Sequence, residues 1–498
     1  MFTDATSEEI DQVMENAWQA FYEYRKLPLK ARANFMRTIA LELKNLSKDL
    51  VPLAMKETNL PETRLEGELT RTILQLNQYG AASESGEWLE ARIDTTFGDN
   101  NSGKKDIRKM LIPLGPVVVF GASNFPFAYS TAGGDSACAF AAGCPVIVKA
   151  HPAHAETSQK VAEAILKAAE KCQMPKGIFA HVHGASVEVG KQLVMHPTTK
   201  AVGFTGSFAG GKQLFDWGNQ RKNPIPVFAE MGSINPVFLL PEKLNQSCDE
   251  IVEMYADSIT QGVGQFCTNP GLIIGIEGEN LQKFIKELGK KIEKVLPQKM
   301  LHPGISKAFE EKRKMALQQK NVTTISVSDT EKKENEGTPT IATATAKSFR
   351  NNPVLHQEVF GPYSLVIRCS DMNEMTQVAK HLEGQLTSTL MATDNDLVSN
   401  WELIEEVKNI CGRFVLNGVP TGVQVCLGMQ HGGPFPATTD SRFTSVGSDG
   451  IKRFARPLAF QNWENKFLPD ALKNENPLQI WRTVNNELTK EPINEITS

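Results

Sequence analysis

The chain has 498 residues, and its 53 Lys and Arg residues against 57 Asp and Glu residues give a formal net charge of −4. This weakly acidic balance provides no bulk electrostatic affinity for nucleic acid or an anionic membrane, so we expect neither as a partner. The length and the 41% of hydrophobic residues suit a globular protein of about three domains.

Two features predict a cytoplasmic protein. The opening MFTDATSEEI is acidic and lacks the basic start and the apolar stretch of a signal peptide. The eight cysteines include no CxxC pair, which indicates reduced thiols. The most apolar segment, Leu111–Phe127, is interrupted by prolines and glycines and is a poor membrane span.

The N-terminal part of the chain is predicted to be helical. Apolar residues recur every four positions in Leu29–Leu46, and Pro61 can open a second helix over Glu62–Tyr79. The next segment, Glu90–Ile112, has alternating stretches on either side of the polar turn Gly98–Lys105, which predicts a long β-hairpin.

From Pro116 onward, short β-branched stretches alternate with helical ones. The predicted strands are Val117–Phe120, Val146–Val148, Ile178–Val182, Ala201–Phe204 and Ile225–Phe228. Helical stretches such as Thr157–Cys172 and Ser186–Met195 separate them, which is typical of a parallel doubly wound sheet. Ligands of such a sheet bind at the carboxyl ends of its strands.

A second α/β unit is predicted after Gly232. Its predicted strands are Leu272–Ile276, Ser364–Arg368, Thr387–Met391 and Arg413–Leu416. The polar stretch Thr330–Gly337 interrupts this alternation and is predicted to be a surface loop.

A glycine-rich turn, Gly203–Gly211, lies between a predicted strand and a helix. The usual dinucleotide fingerprint G-x-G-x-x-G does not occur in the chain. Gly206 and Ser207 would let the backbone approach a pyrophosphate at a helix N-terminus, where free N–H groups favour an anion. Taken alone, the pattern also fits a plain turn.

Cys267 and Glu230 are the candidate reactive side chains. Cys267 lies in a glycine-flanked loop, Gly262–Gly271, which can present a nucleophile, although a lone cysteine is more often a small buried hydrophobe. Glu230 ends a hydrophobic strand at the ligand edge, where a raised pKa would suit a general base. The alternative for Glu230 is a salt-bridged strand end.

Other polar residues lie at the same predicted edge. Lys149 ends a strand where a phosphate or ribose would bind, and Asn124 follows the first strand and could donate its amide to an oxyanion. His181 and His183 alternate on one strand, but no third ligand follows at a metal spacing, so we predict no metal site.

Six motifs in order along the chain resemble the aldehyde dehydrogenase superfamily. They are Ser123-Asn-Phe-Pro126, Val148-Lys149, Phe204-Thr-Gly-Ser207 with Gly211, Glu230-Met-Gly-Ser-Ile-Asn-Pro236, Gly264-Gln-Phe-Cys267 and Glu358-Val-Phe-Gly-Pro362. The resemblance reaches from the first helices to about Trp463. It implies an α/β fold with a Rossmann-like cofactor domain, a catalytic domain with a parallel-type sheet, and a small β oligomerisation arm.

The resemblance also implies a division of the chain. Residues 1–89 and 112–232 would form the cofactor-binding domain, and residues 233–440 the catalytic domain. Residues 90–111 and 441–498 would form the oligomerisation arm and C-terminal tail of a homodimer or homotetramer.

For the reaction, the resemblance implies that Cys267 attacks the aldehyde carbon to give a thiohemiacetal. The side-chain amide of Asn124 and the backbone N–H of Cys267 would hold the oxyanion. Hydride would pass to the nicotinamide, and Glu230 would activate the water that hydrolyses the thioester.

For the cofactor, the resemblance assigns Glu358 to the nicotinamide ribose, Lys149 to the adenine ribose, and Gly206 with Ser207 to the pyrophosphate. Two further members of the motifs, Gly211 and Phe360, are assigned to the cofactor site as well.

The segment after Lys149 bears on the choice between NADP and NAD. Members that prefer NAD often carry a Glu three residues after the Lys, but Pro152 stands there in this chain. Lys149 supplies positive charge and His151 a hydrogen-bond donor on the same edge. We therefore expect NADP to be favoured over NAD.

The substrate expected from the resemblance is α-ketoglutarate semialdehyde (2,5-dioxopentanoate). This rests on four stretches, which are Gly133-Gly-Asp135, Val148–His154, Gln265–Gly271 and Phe435–Ser445. A fatty or general aliphatic aldehyde is the alternative substrate. A non-catalytic nucleotide-binding relative is the alternative class, but such a relative would be free to lose Cys267, Glu230 or Asn124.

Four residues concern the shape and charge of the pocket. Ser123, Ser233 and Ile234 depart from the commoner residues of the family, which affects pocket shape rather than the nucleophile or base. Arg442, in a polar loop, could pair with a substrate carboxylate, although an Arg in such a loop is more often solvated.

Overall fold

The structure, a computed structural model, describes residues 2–95 and 105–493. Its α-helices are α1 Ser7–Tyr24, α2 Leu29–Asn45, α3 Ser47–Thr58, α4 Glu62–Ser85, α5 Gly134–Ala142, α6 Ala155–Lys171, α7 Val187–Met195, α8 Phe208–Gln220, α9 Pro241–Thr260, α10 Glu279–Glu293, α11 Pro303–Leu317, α12 Ala346–Arg350, α13 Met372–His381, α14 Asp394–Ser399 and α15 Trp401–Ile410. Within the described ranges, none of the helices has the length and apolarity needed to cross a membrane.

The helix bounds follow local sequence signals. α1 begins with a capping box formed by Thr6 and Glu9. α4 begins after Pro61 and ends at Gly86, whose φ of 69° lies in the left-handed region that glycine adopts without strain. α2 and α4 match the two predicted helices, and α4 runs six residues past the predicted end.

The strands of the described chain are β1 Arg92–Asp94, β2 Ile107–Pro113, β3 Val117–Phe120, β4 Val146–Lys149, β5 Phe179–Val182, β6 Ala201–Thr205, β7 Val227–Glu230, β8 Val237–Leu239, β9 Leu272–Ile276, β10 Gln298–Lys299, β11 Thr323–Val327, β12 Glu336–Gly337, β13 Thr340–Thr345, β14 Tyr363–Cys369, β15 Gln385–Met391, β16 Cys411–Leu416, β17 Ala455–Gln461, β18 Arg482–Val484 and β19 Glu487–Thr489.

The first sheet has the order β5-β4-β3-β6-β7, and all its neighbouring strands are parallel. Val117 and Val119 of β3 face the apolar cluster that includes α2, α4 and α5, whereas Val118 faces the cluster that includes α1. Burial on both faces explains the continuous β-branched strands. The register aligns Lys149 with Phe120, and Glu230 with Thr205, so the strand ends meet at one edge. The predicted parallel sheet is confirmed.

The second sheet has seven strands in the order β11-β13-β14-β9-β8-β15-β16, and β11 is its antiparallel edge strand. The sequence prediction missed β8, β11 and β13. β8 has only three residues, and β13 alternates threonine with small residues, so neither shows a long apolar pattern. The predicted loop Thr330–Gly337 ends in β12, which pairs with β10.

The third sheet joins the predicted hairpin to the C-terminal part of the chain. Its order is β17-β2-β1-β18-β19, and β1 and β2 are antiparallel. Most of the predicted turn Gly98–Lys105 lies outside the described residues. β17 pairs along the whole of β2, so residues after 441 extend the hairpin sheet.

Candidate active site

A cavity of about 430 Å³ lies at the carboxyl edge of the first sheet, where residues of the second α/β unit close over it. The predicted site residues that line it are Asn124, His151, Gly206, Ser207, Glu230, Cys267, Glu358 and Phe360. The other three predicted residues, Lys149, Gly211 and Arg442, lie outside this described lining.

The loop that carries Cys267 has an unusual backbone. Gly262, Val263 and Gly264 all have φ between 55° and 63°, a left-handed conformation that a β-branched residue rarely adopts. A Cβ on Gly264 would lie 2.3 Å from the carbonyl oxygen of Gly361, so only glycine allows this loop to cross the loop that carries Glu358. This crossing brings two predicted motifs together.

Asn235 positions the backbone of Cys267 through hydrogen bonds. The Asn235 Nδ2 atom donates to the carbonyl oxygen of Cys267 at 2.9 Å and to that of Asn269 at the same distance. Asn235 is itself buried, and its Oδ1 accepts from Ser233. Ser233, one of the departures noted above, therefore belongs to the buried network that positions the Cys267 loop.

Glu230 and Cys267 share a neighbour that the sequence interpretation missed. His431 Nε2 lies 3.1 Å from Glu230 Oε1 and 3.6 Å from Cys267 Sγ, and the hydroxyl of Ser445 donates to Glu230 Oε2 at 2.7 Å. One reactive atom each from Glu230, Cys267 and His431 falls within 4.8 Å of the others. Glu230 is 3% exposed and His431 1%, so these two side chains are shielded from bulk solvent, whereas Cys267 is half-buried.

The electrostatics of this group differ from one side chain to the next. Burial and the neighbouring Glu230 carboxylate raise the pKa of the Cys267 thiol well above its usual range. Burial also opposes ionisation of Glu230, but contacts with His431 and Ser445 outweigh it and hold the pKa of Glu230 below its ordinary value. At neutral pH the pair is therefore a thiol beside a carboxylate, and the carboxylate can accept the thiol proton.

Asn124 lines the cavity and contacts the Cys267 loop directly. Its Nδ2 donates to the carbonyl oxygen of Gln265 at 3.2 Å. This bond fixes the Asn124 side-chain amide against a peptide two residues before Cys267. An NH₂ group has two hydrogens, so one remains free for a further acceptor. A side-chain amide in the cavity lining is a candidate oxyanion donor.

The glycine-rich turn lies at the start of α8. The Ser207 hydroxyl accepts from Gly210 N at 3.2 Å and so caps the helix, while Gly206 and Ser207 both line the cavity. A Cβ on Gly211 would lie 2.5 Å from Met231 Cγ. Gly211 therefore permits close packing of the helix on β7, which is a structural role and not a cavity contact.

Glu358 faces the cavity from the second α/β unit. Its Oε1 accepts weakly from Ser233 N at 3.5 Å, and Lys312 Nζ donates to its backbone carbonyl at 3.0 Å. Burial raises the pKa of Glu358 to about 7, and Lys312 opposes this rise. A carboxylate with so few partners can accept hydrogen bonds from a bound hydroxylated group.

The far end of the cavity is rich in imidazoles. His151 and His302 both line it, with ring centroids 6.0 Å apart, and His151 lies 5.5 Å from the His154 ring. Burial lowers the pKa of His151 well below its usual value, and His154 and Lys149 lower it further. Burial likewise lowers the pKa of Lys149.

Arg442 lies on the protein surface. Its side chain is 79% exposed, and its Nε donates to Asp440 Oδ1 at 2.8 Å. Asp440 is only two residues earlier in the chain, so this local ion pair directs Arg442 away from the cavity. The structure does not bring Arg442 to the other candidate residues.

The residues that sequence reasoning missed come from other elements. His431 lies in Gly428-Met-Gln-His-Gly-Gly433, a glycine-flanked loop of the same kind as the Cys267 loop, and this was the available signal. Lys312 and His302 belong to α11 and its N-cap, and no sequence pattern there indicates a ligand. Taken together, the cavity lining offers a thiol, a carboxylate and a side-chain amide, with the thiol and the carboxylate beside each other.

Comparison with known proteins bears on this arrangement. The model of the aldehyde dehydrogenase family matches residues 1–434. An α-ketoglutaric semialdehyde dehydrogenase of Acinetobacter baylyi is 42% identical over 492 residues, covering 98% of this chain and 93% of that protein. The α-ketoglutaric semialdehyde dehydrogenase 2 of Azospirillum brasilense is 43% identical over 483 residues, covering 97% and 92%.

The fold has solved counterparts. The glyceraldehyde-3-phosphate dehydrogenase of Methanocaldococcus jannaschii, solved with NADP, superposes with a TM-score of 0.78 at 19% identity. The match covers 93% of this chain and 96% of that one. At this identity the likeness shows the fold alone, and it agrees with the predicted arrangement of cofactor and catalytic sheets.

Proposed function

Since this chain belongs to the aldehyde dehydrogenase family and is an NAD(P)-dependent oxidoreductase acting on aldehydes, we propose that its substrate is α-ketoglutarate semialdehyde, which it oxidises to α-ketoglutarate. Support for the substrate comes from the two relatives at 42% and 43% identity that carry this activity in their names. Support for the chemistry comes from Cys267, Glu230 and Asn124, which all line the same cavity, with Cys267 and Glu230 beside each other.

In the proposed first step, the Cys267 thiol transfers its proton to the Glu230 carboxylate and its sulfur bonds to the aldehyde carbon. The carbonyl oxygen becomes an oxyanion, which the Asn124 amide and the backbone N–H of Cys267 stabilise. These donors act at the moment when the tetrahedral centre gives up a hydride, so they lower the barrier rather than tighten substrate binding.

Bound NAD(P) supplies the hydride acceptor, and loss of hydride leaves a thioester on Cys267. Glu230 first releases the thiol proton to solvent and is again a carboxylate. It then removes a proton from water, and the resulting hydroxide attacks the thioester carbon. The carbon–sulfur bond breaks, the acid leaves, and Cys267 takes up a proton. Sulfur suits both halves of this reaction because a thiolate is a strong nucleophile and a good leaving group.

The same cavity is our proposed coenzyme site. We propose that Glu358 binds the nicotinamide ribose with Phe360 beside it, that Gly206 and Ser207 bind the pyrophosphate at the start of α8, and that Lys149 and His151 face the adenine ribose. The sparsely bonded carboxylate of Glu358 and the exposed helix start are the observations that support this placement. The imidazole-rich end supports a preference for NADP.

For the assembly, we propose the division stated above, with residues 1–89 and 112–232 binding the cofactor and residues 233–440 supplying the catalytic loop. Residues 90–111 and 441–498 would form the arm of a homodimer or homotetramer in the cytoplasm. The pairing of β2 with β17, which joins these two stretches in one sheet, supports a common arm.

A panel of aldehydes tests the proposed function. We expect kcat/KM for α-ketoglutarate semialdehyde to exceed that for pentanal, which has the same five carbons and no carboxylate. The Cys267→Ala variant is the control for non-enzymatic reduction of the coenzyme. Equal constants for the two aldehydes, or a higher constant for pentanal, would contradict the substrate and favour a general aliphatic aldehyde dehydrogenase.

A further inference from the structure

Helix α4 turns a row of charged side chains toward the Cys267 loop. Arg64, Glu68 and Arg71 are spaced four and three residues apart, which places them on one face of the helix. The Arg64 side chain is only 21% exposed and that of Glu68 only 2%. Burying a charged side chain to this degree is costly unless it has partners. The contacts of these side chains therefore indicate which groups this face of the helix binds.

Arg64 lies against the residues next to the proposed oxyanion site. Its guanidinium carbon is 4.3 Å from the ring centroid of Phe125 and 4.8 Å from that of Phe266. Phe125 directly follows Asn124, and Phe266 directly precedes Cys267. Arg64 is therefore stacked between the neighbours of the two residues that would hold the reacting carbonyl.

Arg71 extends this surface by two helical turns. Its guanidinium carbon lies 5.3 Å from the ring centroid of Tyr129, and its Nη2 donates to the Tyr129 hydroxyl at 3.3 Å. Tyr129 lines the cavity, and its ring is 5.1 Å from that of Phe125 and 6.4 Å from that of His431. Both arginines thus border one aromatic wall. Phe125 and Tyr129 of this wall line the cavity together with Cys267, and the two arginines contact these rings from outside the described lining.

The positive charge of this wall is only partly balanced. Arg64 Nη2 lies 3.6 Å from Glu68 Oε2, and within residues 2–95 and 105–493 Arg71 has no acidic partner within 4.0 Å and donates instead to the Tyr129 hydroxyl. The other oxygen of Glu68 accepts from Phe127 N at 2.8 Å and from Ala128 N at 3.0 Å. Burial raises the pKa of Glu68, which further weakens its ability to neutralise two guanidinium groups.

Most of the guanidinium donors are also uncommitted. Each guanidinium has five N–H donors. Among the described residues, Arg64 donates one hydrogen bond, to Asn124 O at 3.4 Å, and Arg71 one, to the Tyr129 hydroxyl. Planar donor groups of this kind match the two oxygens of a carboxylate.

We propose that Arg64 and Arg71 bind the carboxylate of the substrate, with the rings of Phe125, Tyr129 and Phe266 against its methylene groups. This inference rests on the proposed function and assigns residues to the part of the substrate that does not react. It replaces Arg442, whose exposed ion pair with Asp440 keeps it on the surface, as the carboxylate partner. The enzyme is then selective for aldehydes that carry a carboxylate at the far end.

The test compares two aldehydes in three variants, Arg64→Gln, Arg71→Gln and the control Arg37→Gln. Arg37 is a surface arginine, 43% exposed, that pairs with Glu84 at the other end of α4. For Arg64→Gln and Arg71→Gln we expect kcat/KM for α-ketoglutarate semialdehyde to fall about 10- to 100-fold, chiefly through KM, because a hydrogen-bonded charge is lost. The constant for pentanal, which has no carboxylate, should fall by less, so the ratio of the two constants should drop in both variants and stay unchanged in Arg37→Gln.

A second readout does not depend on turnover. The product α-ketoglutarate should inhibit the wild-type enzyme competitively against the aldehyde, and its inhibition constant should rise in both variants but not in Arg37→Gln. Arg71→Lys keeps the charge and should recover part of the loss. A purely structural role would instead lower kcat/KM for both aldehydes together.

Two failures can be told apart. If the wild-type enzyme does not prefer the semialdehyde to pentanal, the proposed function is wrong. If the wild type has this preference and both Gln variants retain it, the assignment of Arg64 and Arg71 is wrong while the proposed function stands.

Discussion

His431 Nε2 and Glu230 Oε1 lie 3.1 Å apart in the buried part of the site, and the same nitrogen is 3.6 Å from the sulfur of Cys267. His431 Nδ1 is buried and has no hydrogen-bond partner among the described residues. We assign the hydrogen to Nε2, because a buried nitrogen acceptor without a partner costs less free energy than a buried N–H donor without one. His431 then donates to the Glu230 carboxylate and can turn the same hydrogen toward a Cys267 thiolate.

Replacing His431 should change the pH dependence of turnover. His431 is the main contact that lowers the pKa of Glu230 against the effect of burial, so in His431→Ala that pKa should rise. Since Glu230 acts as a base only when ionised, the acid limb of the kcat–pH profile should move to higher pH. His431→Gln keeps a donor and should move it less. An unchanged acid limb in His431→Ala would contradict this coupling.

Cys267→Ala should abolish turnover and leave coenzyme binding intact, because the side chain supplies the bond to the substrate and only part of the cavity wall. Cys267→Ser should be nearly as inactive, since an unactivated hydroxyl is a far weaker nucleophile than a thiolate. Steady-state rates and coenzyme titration check both statements. If Cys267→Ala were as active as the wild type, the proposed mechanism would be wrong.

Glu230→Gln should separate the two half-reactions. Hydride transfer can occur once without the base, so reduced coenzyme should appear as a burst and an acyl adduct should accumulate on Cys267, visible by mass spectrometry. The Glu230 carboxylate also raises the pKa of Cys267, so its removal should lower that pKa and speed alkylation of Cys267 by iodoacetamide at neutral pH. A full steady-state rate without an acyl adduct would contradict the assignment of Glu230 as the base.

The sequence predicts the parts of the site that follow strands. Glu230 and Lys149 end strands that are buried on both faces, and such strands are continuous apolar stretches whose ends converge at one edge. Cys267 is distinguished by the glycines around it. These local signals need no knowledge of how distant segments pack.

The remaining features depend on long-range packing. His431 and Ser445 reach Glu230 across a separation of 201 and 215 residues, on loops without periodicity. Arg64 and Arg71 lie on α4, for which the sequence predicts only a helix that begins after Pro61, and their direction depends on how α4 packs against the rest of the chain. The three residues of β8 are too short to show a period. Arg442 is directed outward by Asp440, which an isolated loop sequence does not reveal.

Glu358 should make coenzyme binding depend on pH. Its pKa is raised to about 7 by burial, so the carboxylate is protonated as the pH falls through that value. If Glu358 accepts hydrogen bonds from the nicotinamide ribose, the Kd for the coenzyme should rise as the pH is lowered from about 8 to about 6. Glu358→Gln should bind weakly and without this dependence. Calorimetry in the Cys267→Ala background measures both, and a flat wild-type profile would argue against the role.

Coenzyme choice depends on the charges around Lys149. Pro152 is exposed at the start of the turn that follows His151, where many NAD-preferring relatives of this family carry a carboxylate. His151 Nδ1 accepts from Ala153 N at 3.1 Å, which leaves Nε2–H as a donor toward the cavity. An opposing charge comes from Asp4, whose carboxylate accepts a hydrogen bond from Ala185 N and acts on Lys149.

We therefore expect NADP to be favoured by a factor on the order of ten, which requires only about 1.4 kcal/mol of differential binding. Pro152→Glu places a carboxylate where it repels a 2′-phosphate and accepts from a 2′-hydroxyl, so it should shift kcat/KM toward NAD. Asp4→Asn removes the charge that opposes the phosphate and should shift the ratio further toward NADP. The two variants act in opposite directions, so a general loss of stability cannot imitate both. Specificity constants that place NAD strongly ahead of NADP in the wild type would refute this interpretation of the Lys149 edge.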